Sequence, residues 1–176
     1  MTNYTRAPNL CWHALIGLLF LASPIIGGAQ NASSGSAPVA PAQGPTPEYH
    51  PSMGDLMTMA VQPRHIKLGL AGRAGNWSYA GYELSELRNA FARIARTIPQ
   101  YQSMETAALM TAMTQVPLDE LDKAIREANA TQFVAAYARL TQACNACHQS
   151  QNHAAVVIKV PESMMFPDQD FRPVSR

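Results

Sequence analysis

Residues 144–148 read Cys-Asn-Ala-Cys-His, placing two thiols and an imidazole within five positions. Four chemistries use such a set. Two thiols followed directly by a histidine can add across the two vinyl groups of a haem and supply its proximal iron ligand. A structural zinc site needs four N or S donors. Cys144, Cys147 and either His148 or His153 supply three, and the fourth would have to come from His50 or His65, far away in sequence. A redox dithiol belongs at the start of a helix that follows a strand, where the helix N-terminus stabilises a thiolate. Two buried, inert cysteines complete the set.

The rest of the chain weighs these readings. Residues 1–29 form an expected signal peptide: Arg6, then the apolar stretch "LCWHALIGLLFLA", then "GGA" as a small-residue cleavage site ending at Ala29. An uncleaved membrane anchor is the lesser reading, because the apolar run is short for a bilayer and Pro24 interrupts it. Export implies a periplasmic protein. Of three cysteines, Cys11 lies in the leader, so the mature chain keeps only Cys144 and Cys147. In an oxidising compartment such a pair becomes a disulfide unless chemistry claims it, and a loop this short gives a disulfide little stabilising effect.

The elements must then place these residues. Residues 30–52 are expected to be a disordered linker rich in Ala, Pro, Gly and Ser. From Met53 the pattern is helical. The first helix carries "MGDLMTMAVQPRHIKLGLAG"; Pro63 either kinks it or starts a second segment, and Gly69, Gly72 and Gly75 loosen its end. Asn76 is a good N-cap for a second helix, whose seam runs Trp77, Ala80, Leu84, Leu87, Phe91, Ile94 and Ile98 until Pro99 stops it. A third region starts near Met104 and is expected to break at Pro117. A fourth helix is expected from Thr131, with Phe133, Tyr137 and Leu140 inward. The best strand candidate, "AVVIKV" at 155–160, is too isolated to build a sheet. The expected class is all-α: an antiparallel four-helix bundle over residues 53–153, followed by an irregular tail at 154–176.

Continuing the fourth stripe in the same steps leads from Leu140 to Cys144 and Cys147, on the core-facing seam, with His148 one turn beyond Cys144. A macrocycle could attach through both sulfurs while the imidazole reaches its centre. One covalent haem c is therefore the expected cofactor, held by Cys144, Cys147 and His148. No strand precedes the pair, which argues against the dithiol.

The remaining residues exclude more than they add. The mature chain has 12 basic and 12 acidic residues, so it offers no electrostatic footprint for nucleic acid and no basic run to hold a membrane surface. No Ser-His-Asp arrangement or phosphate loop appears, and the protein is expected not to be an enzyme. Trp77, Tyr82 and Phe91 read as core. Glu83 and Glu86 read as a solvated face. Arg64, Lys67 and Arg139 are candidates to pair with haem propionates, though each taken singly fits a solvated charge better. His50 and His153 are expected in solvent.

The run "CNACH" on the last helix of such a bundle resembles the cytochrome c-prime family and its six-coordinate relatives, over roughly residues 53–153. More narrowly, "HIKLGLAGRAGNWSYAGYELSEL" and "LTQACNACHQS" are similar to a group of exported monohaem proteins. The tail after residue 153 is unusually long for the bundle family. The resemblance implies periplasmic electron transfer with a redox partner protein, and a homodimer through bundle helices. It also implies that a residue of the first helix faces the iron from the distal side: His65 first, with Met57 and Met59 as alternatives. Histidine there would give a low-potential haem, methionine a higher one. An open distal site would instead make a five-coordinate gas-binding or sensing protein, and a zinc-holding structural module is the further alternative.

Overall fold

The structure, a computed structural model, describes residues 48–174. The expected leader, Cys11 and the linker up to residue 47 lie outside the described residues. The described chain is mainly helical, compatible with an all-α bundle.

It begins with α1 (Met53–Leu56), started by a capping box. Ser52 Oγ accepts the Asp55 N–H at 3.1 Å, and the Asp55 carboxylate takes the Ser52 N–H at 2.9 Å. A π-helical turn, Met57–Val61, follows directly and leads into α2 (Gln62–Arg73). In that turn the Gln62 N–H reaches five residues back to the Met57 carbonyl. Pro63 gives the reason: its ring crowds the carbonyl four residues earlier, that of Met59, and it has no N–H to donate. One wider turn absorbs both problems, so the helix is neither ended nor restarted.

Two of the three glycines in this region do not loosen the helix end. Gly69 and Gly72 are buried in α2, where α5 lies against the bare backbone. A Cβ on Gly69 would stand 2.6 Å from the Tyr137 ring, and one on Gly72 would overlap the Phe133 ring. Only Gly75 punctuates: at φ 70° it closes α2, with the Asn76 N–H on the Ala71 carbonyl and the Gly75 N–H on that of Gly72. Asn76 then caps α3 (Trp77–Thr97), accepting the Tyr79 N–H at 3.1 Å.

The expected α3 seam is buried from Ala80 to Ile94, with Trp77 and Ile98 packed at its ends. Two side chains depart from expectation. Tyr82 is 55% exposed instead of core. Glu83 is only 1% exposed instead of solvated, because α2 brings Arg64 to 3.3 Å from its carboxylate. After Pro99 a short hairpin pairs β1 (Gln100–Tyr101) with β2 (Met104–Glu105), turning at Gln102 with φ 53°.

α4 (Thr106–Arg126) does not break at Pro117. A mid-helix proline costs about 3 kcal/mol. Here Pro117 is itself buried, and Leu109, Met110, Leu118, Leu121 and Ile125 form one stripe across it that a break would misalign. The α4–α5 link repeats the Gly75–Asn76 device with alanine: Ala128 sits at φ 51°, and the Asn129 N–H bonds the Ala124 carbonyl. Asn129 caps α5 (Ala130–Ser150), one residue ahead of the expected start.

α2 packs on α3 and α5, α3 on α4, and α4 on α5, enclosing Leu68, Leu87, Ile94, Leu121, Phe133 and Leu140. The "AVVIKV" segment is extended coil without a strand partner. The tail is nevertheless anchored: Phe171 is 2% exposed, stacked on Tyr79, and Asn76 Nδ2 donates to the Arg172 carbonyl at 3.0 Å. Among the described residues, no helix is long and apolar enough to cross a membrane.

Candidate functional site

The last two turns of α5 bring Cys144, Cys147 and His148 to one cavity of about 470 Å³. Its facing wall comes from the π-helical turn and the start of α2, through Met57, Thr58, Val61, Gln62 and His65. α4 adds Leu109, Met110, Met113 and Thr114, and Phe91 of α3 completes the floor. Tyr101, Gln151, His153, Val156 and Ile158 also line it. No Asp, Glu, Lys or Arg lines the cavity, so its interior is apolar with scattered neutral polar groups. The size and character suit an organic cofactor.

Both cysteines are free thiols and half-buried. Burial pushes the Cys144 thiol up to about 11, with Cys147 beside it adding to the shift, and burial raises Cys147 too. The pair lies at the C-terminal end of α5, where the helix dipole also opposes a thiolate. These are protonated thiols at neutral pH, the reverse of what a dithiol nucleophile needs. Among the described residues, no three His, Cys, Asp or Glu side chains converge to hold a bare metal ion.

His148 is held from behind. Its Nδ1 lies 2.7 Å from the Val156 carbonyl oxygen. A carbonyl only accepts, so Nδ1 carries a proton, and Nε2 has no hydrogen-bond partner among the described residues. The end of α5 sets this up: Asn152 at φ 63° turns the chain, and the His153 N–H bonds the His148 carbonyl at 2.7 Å. The chain then runs back alongside α5, where Asn145 grips it twice. Asn145 Nδ2 donates to the Ile158 carbonyl at 2.9 Å, and its Oδ1 accepts the Ile158 N–H at 2.7 Å.

On the facing wall, His65 is 4% exposed and both ring nitrogens are engaged by α5. Nδ1 lies 3.0 Å from the Tyr137 hydroxyl, and Nε2 lies 3.1 Å from Thr141 Oγ1. The Tyr137 hydroxyl donates to the His65 carbonyl at 2.7 Å and the Thr141 hydroxyl to the Tyr137 carbonyl at 3.0 Å, so both face the ring as acceptors and a neutral His65 donates to one of them. Burial pushes His65 down to about 4, so the ring is neutral near pH 7. Met57 lines the cavity, whereas Met59 is 61% exposed and does not.

The three candidate propionate partners lie elsewhere. Arg64 faces Glu83 and Glu86, Lys67 sits 4.7 Å over the Phe166 ring, and Arg139 pairs with Glu120 at 2.6 Å. His50 is exposed, as is His153, which bonds the Tyr101 hydroxyl at 2.6 Å beside the cavity. The sequence reading passed over Asn145 and Val156. A helical Asn inside the Cys-x-x-Cys run was a signal in principle, but a backbone carbonyl carries none. No protein-family model, curated protein or solved structure matches the chain.

Proposed function

We propose that this chain is an exported c-type cytochrome, an antiparallel four-helix bundle carrying one covalent haem, that transfers electrons in the periplasm. The carrying observation is that two protonated thiols and an imidazole whose Nδ1 is taken by a backbone carbonyl, with no hydrogen-bond partner on Nε2 among the described residues, line one apolar cavity. Those residues fit the group. Cys144 and Cys147 would hold it by thioether bonds and His148 Nε2 would ligate the iron. When bound, haem supplies a one-electron iron couple. The chain binds it, keeps water from it with Met57, Val61, Phe91, Leu109 and Met110, and fixes the proximal imidazole. The raised thiol pKa values and the absence of a converging donor trio among the described residues weigh against the dithiol and the zinc module.

On the distal wall the packing favours Met57 over His65. His65 is buried with Tyr137 and Thr141 of α5 against its two nitrogens, so ligation would have to displace one of them, while the Met57 thioether has no hydrogen bond to give up among the described residues. Met59 points to neither role. A five-coordinate, gas-binding iron is the second reading, favoured by the same engagement of His65. Electron exchange is with protein partners, with a homodimer through bundle helices as a further element of the proposal. Expression alongside haem-maturation machinery tests the central claim: haem must survive denaturation and organic extraction. A haem-free chain with stoichiometric zinc would sink it. Carbon monoxide added to the reduced protein then divides the two readings, since ready binding argues against a held sixth ligand.

A further inference from the structure

The tail that follows α5 does more than cover the helices. Its Val156 carbonyl is the acceptor for His148 Nδ1, at 2.7 Å, and nothing in that exposed stretch is paired as a strand. The carbonyl is kept in place two residues further on, where Asn145 takes both backbone groups of Ile158 as a neighbouring strand would. Asn145 lies between Cys144 and Cys147, so the residue that fixes the tail is rooted in the same helical turn as the thiols. We infer that Asn145 is a positioning residue: through Ile158 it holds the Val156 carbonyl against His148, and so sets the orientation and basicity of the proximal imidazole. The inference rests on the haem reading, because it assigns His148 Nε2 to iron.

The physics gives a sign. A hydrogen bond from Nδ1–H to a carbonyl raises the electron-donating strength of the other nitrogen and fixes the ring. A stronger donor favours the more positively charged iron, hence a lower reduction potential. Losing the clamp frees Val156, weakens that bond and raises the potential. Spacer positions within the Cys-x-x-Cys run supply no covalent link, so Asn145→Ala keeps its haem.

The test compares full-length haem-loaded parent with two clamp variants, Asn145→Ala and Ile158→Pro, the latter removing the N–H gripped by Asn145 Oδ1; Ile158→Ala, which trims the same cavity-lining side chain but keeps that N–H, is the control. Two readouts are taken: the reduction potential by spectroelectrochemical titration, and solvent exchange of the hyperfine-shifted Nδ1 proton of His148. Both variants are expected to show a higher potential and exchange about tenfold faster, the factor for loss of one ordinary hydrogen bond. A merely structural role would lower the melting temperature and leave both readouts in place. Haem retained with unchanged potential and exchange in both variants would overturn the inference and spare the haem reading. A parent chain without covalent haem would overturn both.

Discussion

His65 shows how much of this site is decided by what a single side chain already touches. Its ring is neutral because burial depresses its pKa to about 4. An unfolded chain would protonate that imidazole near 6.5. Below about pH 6.5 the unfolded state therefore takes up a proton that the folded state refuses, and stability falls until about pH 4, where both are protonated. The loss over that window is about 3 kcal/mol at most, at ~1.4 kcal/mol per pKa step. Denaturant titrations at pH 7 and pH 4.5 should show it, and His65→Asn should flatten that part of the profile. Equal pH dependence in both proteins would mean that His65 is not buried neutral.

At the scale of the elements, the helix ends and the close approach of α2 to α5 make separate predictions. Ala128 occupies a left-handed position that glycine fills at Gly75 in the equivalent link. Relief of that strain exceeds the added unfolded-state entropy, so Ala128→Gly should stabilise the fold by roughly 0.5 kcal/mol, seen as a higher melting temperature. Gly72→Ala should do the opposite. Its methyl overlaps the Phe133 ring, and overpacking of this kind costs roughly 1–3 kcal/mol. Equal melting temperatures for the parent and Gly72→Ala would refute that packing.

These elements also show what was legible beforehand. The α3 seam, the Asn76 cap and the α5 stripe that carries Cys144 and Cys147 were readable because apolar spacing and caps are local signals. Pro117 and Glu83 were misread because their outcomes depend on partners elsewhere: a buried stripe spanning the proline, and Arg64 from another helix. The α2 glycines were misread for the same reason, since only the rings of α5 explain them. The Asn145–Ile158 grip was invisible because half of it is backbone.

Taken together, the described residues form a set of packed helices with an apolar cavity at the end of α5 and a tail pinned along them. The Val156 carbonyl meets His148 Nδ1 near the start of the tail, and Phe171, stacked on Tyr79 of α3, fixes its far end. Residues 30–176 carry 12 basic and 12 acidic residues, so if the proposed haem exchanges electrons with a partner, the rate should depend weakly on ionic strength. Stopped-flow reduction by a neutral reagent and by a charged one, each at two salt concentrations, checks this. A steep salt dependence with the neutral reagent would show a conformational effect in its place.

The central claim is that Cys144, Cys147 and His148 hold one haem covalently. Its most direct test is the pyridine haemochrome spectrum of the denatured, extracted protein beside Cys144→Ser and Cys147→Ser. The account predicts one haem per chain with a two-thioether spectrum in the parent. Each single variant should give a red-shifted, one-thioether spectrum at reduced yield. Haem that washes out of the denatured parent would contradict it.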